Sequence, residues 1–201
     1  MELSAAVQPL VYTPEMYAAT SGEEDPEELD LMQLVDRVKA QKIADVLRDL
    51  YGLEVDLAEP REEDGEYAEV GDTDELELLR QIAAAVQGHT VDDYYEGRVA
   101  PGFVYNHLIN HANTDGYYLP VDFPQAFFID EVSVGSAVRL QAELAALEPA
   151  LASRYPNQVA LVAATPEDEE PDLPGGPVRV WAALSRLTRS ALQLNLPIHF
   201  G

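Results

Sequence analysis

Apolar residues recur in two periods along this chain, and the places where the period changes outline its elements. Ala137, Leu140, Leu144, Leu147 and Leu151 are spaced alternately three and four apart, which puts all five on one face of a helix. Ser133 or Ser136 is placed to cap that helix, and Tyr155–Pro156 to stop it. Val180, Leu184, Leu187, Ala191 and Leu194 predict a last helix, ended by Pro197. Nearer the start, Asp25, Pro26 and Glu28 fit the N-cap, first and third positions of a long helix that Gly52 terminates. Inside it Leu31, Val35 and Val38 share one face, whereas Ile43, Val46, Leu47 and Leu50 lie round the side. The stripe shifts near residues 39–42, which predicts a bend or burial against two neighbours. Asp72 with Glu75 caps a further helix with Leu76, Leu79, Ala83 and Val86 inside, and Thr90 with Asp93 starts a short one through Tyr94 and Tyr95.

The strand period is weaker. Leu53, Val55 and Leu57 alternate with Glu54 and Asp56, the pattern of a half-buried strand. Residues 103–109 and 117–123 are aromatic and β-branched. Asn113, Asp115 and Gly116 between them favour a turn, so strand–loop–strand is predicted there. Residues 127–132 and 159–163 read as further strands, and Ile198 with Phe200 as a pair on a sheet edge. Together these predict an α+β fold in which about four long helices pack on a mixed or antiparallel sheet of about five strands. They form a single globular domain spanning 1–201.

Charge changes this picture most. Among 201 residues there are 37 acids and 12 bases, a formal net charge of −25, and Lys39 and Lys42 are the only lysines. The acids gather at 23–30, 59–77 and 167–172, and residues 59–73, with Gly65 and Gly71, predict a long, mobile acidic loop. Such a field repels nucleic acid and anionic membrane and attracts a basic protein surface. In the last helix Arg179, Arg186 and Arg189 face no acid from Val178 onward, and are expected to neutralise acids elsewhere in the molecule. The absence of cysteine excludes disulfides and thiolate chemistry. Residues 1–11 lack the charge and apolar run of a leader, and no stretch is long enough to span a bilayer, so a cytoplasmic location is expected.

Candidate chemistry is sparse. His107 and His111 have a spacing that would share a metal on a helix. On the strand predicted here they stand roughly 13 Å apart, so no metal is assigned to them. His111, Asn113, Asp115, Gly116 and Asp122 echo a calcium loop, but the leading Asp and closing Glu of that loop are missing. No nucleotide-binding or nucleophile motif is present, and no catalytic residue or cofactor is assigned. The leading reading is an acidic protein-interaction or inhibitor-type module for a basic partner. Glu62, Glu63 and Asp64 would steer it, and Tyr94, Tyr95, Tyr117 and Tyr118 would anchor it, with at least one of the last two facing outward. One alternative is an enzyme or small-ligand protein with a pocket around 105–123 formed by His107, His111, Asp115 and Tyr117. Another is a solubility-adapted domain without a special partner. Homo-oligomerisation is left open.

Overall fold

The computed structural model describes residues 1–22, 25–112, 115–166 and 169–200. The first elements are β1 (Glu2–Val7), α1 (Pro14–Ser21), α2 (Pro26–Tyr51), β2 (Tyr67–Asp72) and α3 (Thr73–Val86). Next come α4 (Val91–Tyr95), α5 (Asn106–Asn110), β3 (Gly116–Leu119), β4 (Phe127–Ile129) and β5 (Val132–Ser136). The chain closes with α6 (Ala137–Arg154), α7 (Pro156–Ala164), α8 (Pro177–Leu194) and β6 (Ile198–Phe200). Two compact units result, one formed by Met1–Val7 with Gly65–Gly201, the other by Gln8–Asp64.

The larger unit holds a six-stranded mixed sheet of order β2-β1-β6-β3-β5-β4. β1 pairs antiparallel with β2 and β6, β6 antiparallel with β3, β3 parallel with β5, and β5 antiparallel with β4. Leu3, Ala5 and Val7 alternate inward along β1, as Ala68 and Val70 do along β2. α8 is buried nearly all round, from Val178 and Val180 through Trp181, Leu184 and Leu187 to Ala191. It shares one core with the α6 stripe of Leu140, Leu144, Leu147 and Leu151 and with Leu76, Leu79 and Ile82 of α3. Asp72 and Glu75 close a reciprocal capping box at α3, Thr90 and Asp93 another at α4, and Ser136 caps α6.

The smaller unit is built on α2, capped by Asp25, with Pro26 in its first turn and Gly52 in the left-handed conformation at its end. Its buried face is Leu29, Gln33, Ala40, Ile43, Ala44 and Leu47. The predicted stripe of Leu31, Val35 and Val38 is instead exposed, so the apparent shift of face is a buried face opposite a second, open one.

Several expectations are corrected. The described residues contain eight helices rather than about four; those of 14 residues or more are α2, α3, α6 and α8, and short ones fill the gaps. Residues 103–109 are not a strand: 106–109 belong to α5. Residues 159–163 lie in α7, which begins with Pro156 in its first turn; a short apolar run has no period to separate a buried strand from a helix. Residues 53–57 alternate in burial without forming a strand, and the acidic stretch from 59 contains the regular strand β2. β6 lies inside the sheet and not at its edge.

Candidate protein-binding surface

Past the left-handed cap at Gly52, residues 53–64 run without helix or strand. Leu53, Val55 and Leu57 are half-buried, and the residues between them are not: Glu54 and Asp56 are exposed, as are Glu59, Glu62, Glu63 and Asp64. Six carboxylates therefore face water in eleven residues that hold one base, Arg61. The backbone is anchored among them at Arg61. Arg61 N donates to Val11 O at 3.0 Å, Thr13 N donates to Arg61 O at 3.3 Å, and Tyr12 and Arg61 form a parallel bridge. The Tyr12 hydroxyl donates to Asp64 Oδ1 at 2.7 Å; burial first, and then Asp64, hold its pKa well above the ordinary phenol value. Glu59, Arg61, Glu62 and Glu63 with Thr13 and Pro60 line an open concavity of about 440 Å³. The arrangement presents anionic oxygens on a fixed main chain, suited to receiving cationic side chains.

Acids further along are used internally. Glu75 caps α3 and accepts from Arg179 at 2.6 Å, and Arg186 of α8 lies 2.9 Å from Glu66 and 3.6 Å from Glu170. The neutralisation expected of the last helix is present for these two arginines. It also divides the 59–77 cluster: before Gly65 the one base is Arg61, 3.9 Å from Glu59, whereas Glu66 and Glu75 are paired with arginines of α8. Glu23, Glu24, Glu167 and Asp168 of the other clusters lie outside the described residues.

The aromatic centre is a core. Tyr117 and Tyr118 are 6% and 2% exposed, because β3 is flanked by β5 and β6 and all four of its residues are buried. The expected outward tyrosine is therefore not there. Tyr118 stacks on His111, with ring centroids 4.0 Å apart, and donates its hydroxyl to His107 O at 2.9 Å. Gly135, opposite Tyr118 in the β3–β5 register, makes room for this ring: a Cβ there would lie 2.5 Å from it. Tyr94 is half-buried and Tyr95 exposed, their rings edge to face at 5.6 Å, with the Tyr95 hydroxyl donating to Ile109 O. Both belong to the larger unit, whereas Glu62, Glu63 and Asp64 belong to the smaller one.

His107 lies in α5 and His111 directly follows its last residue, and both are buried. Glu143 of α6 accepts the backbone N–H of His107 at 2.9 Å and of Leu108 at 2.7 Å, capping the positive end of α5. At the other end the buried Arg80 donates to Leu108 O at 2.9 Å and to His111 O. A carboxyl that accepts at one end and a guanidinium that donates at the other satisfy the ends of a five-residue helix in a strand-prone sequence. His107 Nδ1 accepts from Ser136 N at 3.0 Å, and His111 Nδ1 lies 2.7 Å from Ala112 O. Burial lowers both pKa values, to about 4 for His107 and about 3 for His111. The same cause pushes Glu143 up to about 8 against its two N–H donors. Of the expected pocket residues, His107, His111 and Tyr117 thus lie in packed interior, and Asp115 is exposed. The calcium-loop reading fares no better: Tyr117–Leu119 are strand, Asp122 is held by Arg139 Nε at 2.5 Å, and Asn113 lies outside the described residues. Among the described residues no group of three or more His, Asp or Glu side chains is arranged to hold a metal ion. Nor is any helix among them long and apolar enough to cross a membrane. Sequence reasoning missed Glu143 and Arg80, charged residues at inward positions of amphipathic helices, which was the one signal they offered.

Residues 1–200 match the model of one protein family, described as "Putative DNA-mimic protein". No curated protein and no solved structure matches.

Proposed function

The chain belongs to this DNA-mimic family, and from that premise we propose that it is an inhibitor-type module whose acidic surface occupies the basic face of a DNA-binding protein. The observation that supports this reading is the segment 54–64, anchored at Arg61, with six exposed carboxylates against one arginine. Even a fully extended chain spans no more than about 3.3–3.6 Å per residue, so these acids average at least one per about 6–7 Å. A single DNA strand carries one charge per about 3.4 Å of axis. The segment is thus roughly half as dense as one strand, enough to meet a row of lysines and arginines spaced for phosphate. The chain itself carries −25 and repels nucleic acid, so its partner is a protein. Long-range attraction sets the association rate.

The test is capture of proteins from a native lysate on the immobilised chain, followed by elution with duplex DNA. A captured protein should be released by the duplex, should associate more slowly as salt is raised, and should be lost from a Glu59→Gln, Glu62→Gln, Glu63→Gln variant. Asp64 stays unchanged in that variant because it holds Tyr12. Failure of duplex DNA to displace the partner, or equal capture by the variant, would overturn the proposal.

A further inference from the structure

The acidic segment has neither helix nor strand to hold it, yet its contacts converge on one residue. Tyr12 reaches it in two ways. Its main chain forms the parallel bridge with Arg61, flanked by the bonds from Arg61 N to Val11 O and from Thr13 N to Arg61 O. Its hydroxyl donates to Asp64 Oδ1 at 2.7 Å and lies 3.1 Å from Gln8 Oε1. Tyr12 is itself fixed from behind. A polar side chain on a buried helix face costs free energy unless it is bonded. Gln33, the one polar residue on the buried face of α2, donates its side-chain N–H to Tyr12 O at 2.9 Å. The Tyr12 ring meets that of Tyr17 edge to face, centroids 5.6 Å apart, and the Tyr17 hydroxyl donates to Asp36, also on α2. A continuous line of contacts thus runs from α2 through Tyr12 to Arg61 and Asp64, all inside the smaller unit.

A surface that captures a cationic partner has two separable properties. Steering depends on the number of charges and little on where each one lies within a few ångströms. Retention depends on carboxylates that already stand where the cations arrive, because every side chain or loop ordered on binding subtracts from affinity. The exposed Glu62 and Glu63 lie between Arg61 and Asp64, the two points at which Tyr12 holds the chain. We infer that Tyr12 is a positioning residue: with Gln33 behind it, it holds residues 61–64 so that Glu62 and Glu63 meet an arginine- or lysine-rich protein surface in a fixed arrangement. This role presupposes that 54–64 is the binding surface, and it acts on retention rather than on steering.

Binding kinetics of an oligo-arginine peptide on the immobilised full chain, at several salt concentrations, test this role. The parent is compared with Tyr12→Phe, with Gln33→Met, and with the Glu59→Gln, Glu62→Gln, Glu63→Gln variant. Tyr12→Phe keeps the ring and every carboxylate. It should raise the dissociation rate about two- to tenfold, the range expected when one side chain must be ordered on binding, and leave the association rate and its salt dependence at parent values. Gln33→Met, which alters no acid and no tyrosine, should shift the same rate in the same direction. In the free Tyr12→Phe chain the Arg61 amide hydrogen should exchange faster. A contact that only stabilised the fold would instead lower the urea midpoint and leave the rates of the folded chain unchanged. A dissociation rate that either variant leaves unchanged, or that Tyr12→Phe lowers by releasing Asp64 to the peptide, would overturn the positioning role while the triple variant still bound weakly. Equal binding by the triple variant would overturn the reading of the segment itself, and the positioning role with it.

Discussion

Glu143 offers the sharpest test of how the interior is organised. Its carboxyl is 4% exposed and accepts two backbone N–H groups at the start of α5. Burial, opposed by those two bonds and by Arg139, raises its pKa from 4.5 to about 8. Between those values the folded chain holds a proton that the unfolded chain has released. Stability therefore falls as pH rises through this window. At about 1.36 kcal/mol per pH unit, the interval from pH 6 to pH 8 should cost about 2 kcal/mol, a substantial part of the total stability of a domain. Glu143→Gln keeps the shape and one acceptor oxygen but cannot titrate. Urea unfolding of parent and variant across that interval, at constant slope, should show the parent losing about 2 kcal/mol more than the variant. Parallel profiles would refute the reasoning. They would mean that the α5 N-terminus and the neighbouring guanidinium outweigh burial, so that the carboxylate is already ionised in the fold.

Two further outcomes are expected. Leu144 is buried in the α6 stripe and Gln141 exposed beside it, so Leu144→Ala should cost about 2–5 kcal/mol and Gln141→Ala no more than about 0.5 kcal/mol, read as urea midpoints. On the acid side the signs reverse from Glu143. His107 and His111 are held neutral, with pKa values lowered to about 4 and about 3, so stability present above pH 6.5 should be lost as pH falls toward those values. His111→Gln should flatten that loss, and an unchanged acid limb would show that His111 does not contribute to it.

What the sequence carries clearly is what local chemistry decides. The caps at Asp25, Asp72, Thr90 and Ser136 and the stripes of α6 and α8 depend on residues within a few positions of one another, and all are in place. The misread segments are those whose state is set from far away. α5 is helical because Glu143 and Arg80, some thirty residues away on either side, satisfy its two ends. β1 was not anticipated because Ser4, Ala5 and Ala6 have little strand preference of their own; β2 and β6 make it a strand. Burial follows the same rule. Aromatic composition suggested an outward Tyr117 or Tyr118, but a central strand with a neighbour on each side has no outward tyrosine here. On α2 the period located an apolar face correctly and could not say that the opposite face is the one buried. The charge of residues 62–64 was legible because exposure is the default for unpaired acids.

The position of β6 bears on how the protein is made. These three residues are the one link, among the described strands, between the β2-β1 pair and the β3-β5-β4 group. Ala5 is aligned with Phe200 across almost the whole chain. At 5–20 residues per second, translation takes roughly 10–40 s to travel from one to the other. β2 is synthesised early enough to cover one edge of β1, but the other edge stays open until residues 198–200 emerge. The nascent chain thus carries an unpaired β1 edge for most of its synthesis and cannot complete its sheet beforehand. A nick that removed those three residues would leave two half-sheets with no strand between them, each with an open edge ready to pair with another chain.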